Sequence, residues 1–423
     1  MSQSRLAPWL LAACVVLFAF LAVPWPGTSA RSLPEPADRA ADAQDKPDAG
    51  AATESASVAL APRAAQPVLG AMAFDDRTDR YVASLGHARA VLSVSPRLQQ
   101  GLEKLLASYR LPMGAAVLLE PRTGRVIALA EHAEDGSQGH IALKPIAPAA
   151  SIFKIVTSAA LLDRGIAPDS EVCFHGGKHR IQKKLLADDP RRDRRCLTLS
   201  AALGKSANVV FAKLAGRDLS ADLLRAESAR FLFNAPIPFA WPVDPSPAVI
   251  SDDPFELATT AAGFGPVRLS PLHGALLAAL VANGGRFVPP RIVDEVDGVP
   301  VVTPGETRQV IRPEVASALA NMMTTTVTDG TARKVFRRDR VARRSPLREV
   351  NVAGKTGSLS ERDPFRDYSW FVGFAPVEDP QIAVAAVAVN ERVWRVKAPF
   401  LAHEALKAYF AEDGIRSVRT AAR

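Results

Sequence analysis

Three short polar clusters stand in one order along the chain: Ser151-Ile152-Phe153-Lys154, Ser206-Ala207-Asn208 and Lys355-Thr356-Gly357. Together they hold what acyl transfer requires. A serine hydroxyl becomes a useful nucleophile when a base takes its proton, and a lysine three residues on, one helical turn away, is within reach. Lys154 lies among Ile152, Phe153, Ile155 and Val156. That apolar setting disfavours the ammonium, lowers its pKa and leaves a neutral amine to act as general base. The Ser206 hydroxyl can relay a proton to a leaving amine, and the Asn208 carboxamide can both donate to and accept from a substrate amide. Lys355 offers positive field to a carboxylate, and Gly357 lets a substrate backbone come close. The backbone N–H groups of Ser151 and Ser358 would together form an oxyanion hole.

Each cluster needs an element to hold it. Ser151 opens an apolar helix-forming run, Ile152 to Leu162, closed by Gly165. A serine at a helix N-terminus gains from the positive end of the helix dipole as charge develops on it. Ser206 and Asn208 follow a helical stretch, Thr198 to Leu203, that ends at Gly204, and precede the apolar Val209 to Leu214, so they fall on a turn between helices. Lys355-Thr356-Gly357 sits in a strand from Asn351 to Ser358 whose return strand is Tyr368 to Phe374. Alternation puts Lys355 and Gly357 on one face and Thr356 on the other. Elsewhere the pattern predicts a helix over 98–106, a hairpin of strands 114–120 and 125–130 about Pro121 to Gly124, a buried strand over 381–389 and a helix over 401–410. Strands at both ends with helices between predict one mixed α/β (α+β) unit.

The 423 residues are 48% apolar and 6% aromatic with a net charge of +8, which excludes disordered, collagenous and mucin-like chains. Three cysteines are too few for a disulfide framework, so stability must come from a core. A pI near 9.6 favours an anionic partner, and nucleic acid, membrane surface and anionic cell-wall polymers all qualify. Much of the excess charge sits in two runs, 178–195 and 333–348, each a solvated loop or a surface for anions.

Residues 1–30 read as a membrane anchor or signal segment. An uninterrupted apolar run, Trp9 to Val23, follows the lone cation Arg5, and Thr28-Ser29-Ala30 would serve as a cleavage site. The anchor is the preferred reading, and in both cases Arg5 stays inside and the rest is exported. Residues 31–67, rich in Ala, Pro and Asp, form a flexible tether, 68–91 a lead-in, and 92–415 the catalytic domain.

From about Leu92 to Phe410 the chain resembles the transpeptidase domain of the penicillin-binding proteins, most like the monofunctional class B type. The three clusters in their order carry the resemblance. So do Val117 to Ala128, Leu269 to His273 with Asn283-Gly284-Gly285, Asp329 to Ala332, and Trp370 to Pro376. The resemblance implies the fold of these proteins and the serine β-lactamases, a five-stranded antiparallel sheet between helices. It implies Ser151, Lys154 and Ser206 as catalytic residues and Asn208, Lys355, Thr356 and Gly357 as substrate-binding ones. Ser151 would attack the D-Ala-D-Ala terminus of a peptidoglycan stem peptide, D-Ala would leave, and the amine of a neighbouring stem would resolve the acyl-enzyme. β-Lactam antibiotics would acylate the same serine.

Neither cofactor, metal nor nucleic acid is implied. The implied partners are stem peptides, β-lactams, the membrane through the N-terminal segment, and a cell-wall synthesis complex. The implied place is the inner membrane with the domain in the periplasm, or the periplasm itself after signal cleavage. Ser358 stands where threonine is common, keeping the N–H and the hydroxyl. The roughly 25 residues between tether and Leu92 leave room for neither a glycosyltransferase nor a pedestal domain. A D,D-carboxypeptidase or endopeptidase differs only in its acceptor. A β-lactamase would need rapid deacylation, and no E-x-x-L-N segment supplies the class A glutamate. A β-lactam sensor or non-catalytic scaffold ranks lower.

Cys173 and Cys196, with His175 and His179, give C-x-H-x3-H-x16-C. By ligand type this admits zinc, and two free thiols are a second reading. In an exported protein a disulfide is favoured, and the family often carries a cysteine pair here.

Overall fold

Apolar runs near the two ends of the chain, 114–119 and 382–389, meet as neighbours in one sheet. The computed structural model describes residues 69–136, 140–301, 306–342 and 344–421, so the anchor and tether expected over 1–67 lie outside the described residues. Among the described residues no helix is long and apolar enough to cross a membrane.

The described chain begins with strands β1 (Ala73–Asp75), β2 (Arg80–Leu85) and β3 (Ala88–Leu92), helix α1 (Pro96–Ser108), and the hairpin β4 (Met113–Leu119) and β5 (Val126–Ala133). Strand β6 (Ala147–Pro148) leads through a 3₁₀ turn (Ala150–Phe153) into α2 (Lys154–Asp163). The hairpin β7 (Glu171–Phe174) and β8 (Arg195–Thr198) precedes helices α3 (Leu199–Lys205), α4 (Asn208–Asp218), α5 (Ala221–Arg230) and α6 (Pro254–Ala261). Then come β9 (Arg268–Leu269), α7 (Pro271–Ala282) and the short strands β10 (Arg286–Phe287), β11 (Val293–Val296), β12 (Val299–Pro300) and β13 (Arg308–Gln309). Helices α8 (Pro313–Thr328) and α9 (Arg333–Val341), strands β14 (Ala353–Arg362), β15 (Phe365–Ala375) and β16 (Ile382–Asn390), and helix α10 (Ala398–Ala421) complete the order.

The central sheet runs β14-β15-β16-β4-β5, antiparallel throughout, with β16 and β4 in register from Ala383 opposite Leu119 to Val389 opposite Met113. Strand alternation divides its side chains between two cores. Ala115, Val117, Ala385 and Val387 lie in one core with the α7 residues Leu276 and Leu280. Ala116, Leu118, Val384 and Ala386 lie in the other with α1 and α10, through Leu102, Leu106, Leu401 and Leu406. Helices on both faces explain why β4 and β16 read as continuous apolar runs. Helix α7 is buried from Pro271 to Val281, as a helix apolar on all sides must be.

The stretch expected only as a lead-in is structural. Strands β1, β2 and β3 join β11 and β12 in a second antiparallel sheet, with Leu92 opposite Val293. Its β3–β11 pairing spans some two hundred residues of chain, so it left no local hairpin signal in the sequence. Trp241 ties down the entry, its Nε1 donating to Leu69 O at 2.9 Å.

Candidate active site

The segment leading into Ser151 is held from two sides. β6 pairs with β9 (Ala147 opposite Leu269), and Trp370 Nε1 on β15 donates to Pro148 O at 2.9 Å. Ala150 then takes φ +48°, in the left-handed region, and the chain enters its 3₁₀ turn. The sequence predicts an ordinary helix here, whereas the first turn is tighter. Residues i and i+3 eclipse in a 3₁₀ turn, so Lys154 Nζ stands 2.7 Å from Ser151 Oγ. Downstream, Gly165 (φ +84°) closes α2 as predicted, with Ile166 N–H donating to Leu161 O at 3.0 Å.

Lys154 is completely buried, and its Nζ also donates to Asn208 Oδ1 at 2.8 Å and Ala262 O at 2.6 Å. Both partners are pure acceptors. A neutral amine has two N–H groups for them, and its lone pair is left for the Ser151 proton. Burial holds Lys154 well below the ordinary lysine range, and the charge of nearby Lys355 lowers it further. The arrangement can therefore supply a general base against a serine hydroxyl.

The floor of this site went unseen in the sequence. Gly263, just past α6, has φ +92°, and a Cβ there would stand 2.4 Å from Ala150 O, 2.6 Å from Ala150 C and 2.9 Å from Ser151 N. Its position after an apolar helix signals a helix stop, and nothing local says that it lies against the nucleophile's peptide.

Ser206 and Asn208 come from the α3–α4 junction. The predicted stop at Gly204 is two residues early: α3 continues to Lys205 and Ser206 is its C-cap at φ +51°. Gly204 serves packing, since a Cβ there would sit 2.2 Å from Thr325 Oγ1 of α8. Asn208 is the first residue of α4, and its Nδ2 donates to His179 O at 2.9 Å, leaving its second N–H for a substrate.

Lys355 reaches this junction from β14, donating to Ser206 Oγ at 3.0 Å and to Thr356 O at 2.8 Å. Burial lowers its pKa to about 7. Thr356 Oγ1 shares a 2.5 Å hydrogen bond with Thr331 Oγ1. At Gly357 the strand runs against the nucleophile turn, where a Cβ would stand 3.2 Å from both Ala149 O and Ile152 Cγ1. The exposed Ser358 follows directly. Two Ser–Lys pairs, Ser151–Lys154 and Ser206–Lys355, thus share one cleft, with Asn208 bonded to the first.

Cys173 and Cys196 form a disulfide between β7 and β8, which uses the two thiolates a zinc site would need. His175 Nδ1 lies 2.5 Å from Asp193 Oδ1, and among the described residues no group of three or more His, Cys, Asp or Glu is placed to hold a metal ion. His179 meets the site through its backbone, its carbonyl accepting from Asn208 Nδ2. Of the two basic runs, the second begins as α9, with Arg333, Lys334, Arg337 and Arg338 exposed beside buried Phe336.

The family model of the penicillin binding protein transpeptidase domain matches residues 114–404, and the chain belongs to that family. Among curated proteins it is similar to the peptidoglycan D,D-transpeptidase PbpA of Mycolicibacterium smegmatis, 26% identical over 313 residues. The match covers 65% of this chain and spans 61% of that relative's length. Two solved structures share the fold at a TM-score of 0.63. The D,D-transpeptidase domain of a peptidoglycan glycosyltransferase from Eggerthella lenta is 22% identical, over 83% of this chain and 100% of that one. PBP2 of Pseudomonas aeruginosa in complex with WCK 5153 is 26% identical, over 76% of this chain and 78% of that one.

Proposed function

We propose that the protein is a peptidoglycan D,D-transpeptidase that crosslinks stem peptides through an acyl-enzyme on Ser151 and is acylated there by β-lactams. One observation carries the reading: the fully buried Lys154 Nζ stands 2.7 Å from Ser151 Oγ and is held there by Asn208 Oδ1 and Ala262 O. Lys154 takes the Ser151 proton as Oγ attacks the carbonyl of the penultimate D-Ala. The N–H groups of Ser151 and Ser358 receive the oxyanion. Lys355 and Thr356 receive the terminal carboxylate, Asn208 the stem amide, and Gly357 gives the substrate strand room. As the C–N bond breaks, the proton held by Lys154 reaches the departing D-Ala amine through the Ser206 hydroxyl, which passes one proton on and takes one back. A neighbouring stem's amine then attacks the ester, its proton returns to Ser151, and the crosslink is released.

Residues 1–30 as a membrane anchor, 31–67 as a tether, a catalytic domain over 92–415 in the periplasm, and work within a cell-wall synthesis complex belong to the same proposal. The apolar run from Trp9 to Val23 supports the anchor. The name of the mycolicibacterial relative supports the activity.

Incubation with lipid-linked or polymeric peptidoglycan, followed by muramidase digestion and chromatography, tests the reaction. Crosslinked dimers that disappear with Ser151→Ala are expected. Free tetrapeptide alone would move the assignment to a carboxypeptidase, and unchanged material would end it.

A further inference from the structure

Segment 173–196 has no part in the chemistry above, yet it is built onto α4, the helix that begins at Asn208. Ala207, the N-cap of α4, has no side chain to take the free N–H groups of the first turn. The segment supplies acceptors in its place. Lys178 O accepts from Val209 N–H at 3.2 Å, and His179 O accepts from Asn208 Nδ2 at 2.9 Å. The second bond decides which way the Asn208 carboxamide faces. Turned the other way it would put Nδ2 against Lys154 Nζ, donor against donor, and the Lys154 lone pair would no longer be directed at Ser151.

Further along the same helix, Lys213 holds both ends of the segment. Its Nζ donates to Cys173 O at 3.0 Å and lies 2.8 Å from Asp193 Oδ2 and 2.9 Å from Asp188 Oδ1. Asp193 also receives the Asp189 N–H at 3.0 Å and meets His175 Nδ1 at 2.5 Å. The Lys213 and Asp193 side chains are 5% and 6% exposed. A buried pair of this kind holds its geometry when every donor is met, and all three ammonium protons of Lys213 have an acceptor.

We propose that Lys213 is a positioning residue for acylation: by locking the disulfide-closed segment onto α4 it fixes the His179 carbonyl, which turns Asn208 Oδ1 toward Lys154. The inference rests on the acyl-transfer reading of Ser151.

The test is time-resolved labelling of the full chain by a fluorescent penicillin, resolved into binding and acylation constants across pH, with thermal melts to establish folding. Lys213→Met leaves Asp193 buried without its cation and with two of its three partners, so Lys213→Met/Asp193→Asn, which removes both charges, is measured beside it. In whichever variant folds, the acylation constant should fall about ten- to a hundredfold, the scale set by a ~1 Å misplacement of a reacting group. The binding constant should stay within about twofold, and the acidic limb of the acylation profile should move to lower pH, because the Lys154 ammonium loses an acceptor. A folded variant that acylates at the wild-type rate overturns the inference, and so does a slowed one whose acidic limb has not moved. Wild-type protein that takes no label overturns the acyl-transfer reading itself, and this inference with it.

Discussion

Replacing Gly263 by alanine places one methyl group against the peptide that carries the nucleophile. The new Cβ would lie 2.4 Å from Ala150 O and 2.6 Å from Ala150 C, with φ at +92°. Ordinary contacts between such atoms begin about 1 Å farther out, and because both neighbours are backbone no side-chain rotation relieves them. The backbone conformation alone costs a residue with a Cβ about 1–3 kcal/mol. Overpacking adds another 1–3 kcal/mol or so. If the Ala150–Ser151 peptide gives way instead, Ser151 moves by up to ~1 Å relative to Lys154, worth as much as a hundredfold in acylation. Both routes predict a lower melting temperature together with a lower second-order rate of fluorescent-penicillin labelling. Gly86→Ala is the matched control. Its φ is also positive, at +62°, but nothing lies within 4 Å of the new Cβ, and it sits in the β2–β3 turn of the second sheet. It should lose stability and keep the labelling rate. If Gly263→Ala labels within about twofold of wild type, the close approach beneath Ser151 does not constrain the nucleophile and the reasoning fails.

Lys154→Arg keeps a charge that cannot be lost, so labelling should fall by about 10²–10⁴, while wild-type labelling should decline as pH falls and Lys154 becomes protonated. Lys355 has a folded-state pKa of about 7, below its unfolded value. Above pH 7 the unfolded chain therefore binds more protons, and folding stability is regained as pH rises toward about 10. Chemical denaturation should show wild type gaining on Lys355→Met by up to about 1.4 kcal/mol per pH unit in that window. Reducing the Cys173–Cys196 bridge, which joins residues 23 apart, should cost about 3 kcal/mol of stability by the same method.

The sequence made legible what is local or periodic. The three clusters stand out because their residue types suit acyl transfer. The strands at 114–119 and 382–389 are readable because apolar runs of that length suit buried strands. The burial of Lys154 is recognisable from its apolar neighbours alone. What escaped is set by contacts between distant segments. Gly263 matters because α6 ends against a turn more than a hundred residues earlier, and the His179 carbonyl matters because a long loop folds back onto α4. Strands β1 to β3 read only as a lead-in: β1–β2 and β2–β3 are local pairs, but the β3–β11 pairing that builds them into a sheet with the rest of the chain is long-range. The 3₁₀ turn at Ser151 was hidden for another reason: helix propensity does not distinguish it from an α-helical first turn.

The central claim is that Ser151 is the atom acylated. Intact-mass measurement of the protein after incubation with a penicillin, followed by peptide mapping, reads this directly. One added penicillin on the peptide containing Ser151, absent in Ser151→Ala, is the predicted result. No adduct on the folded wild-type protein, or one that persists in Ser151→Ala, would contradict it.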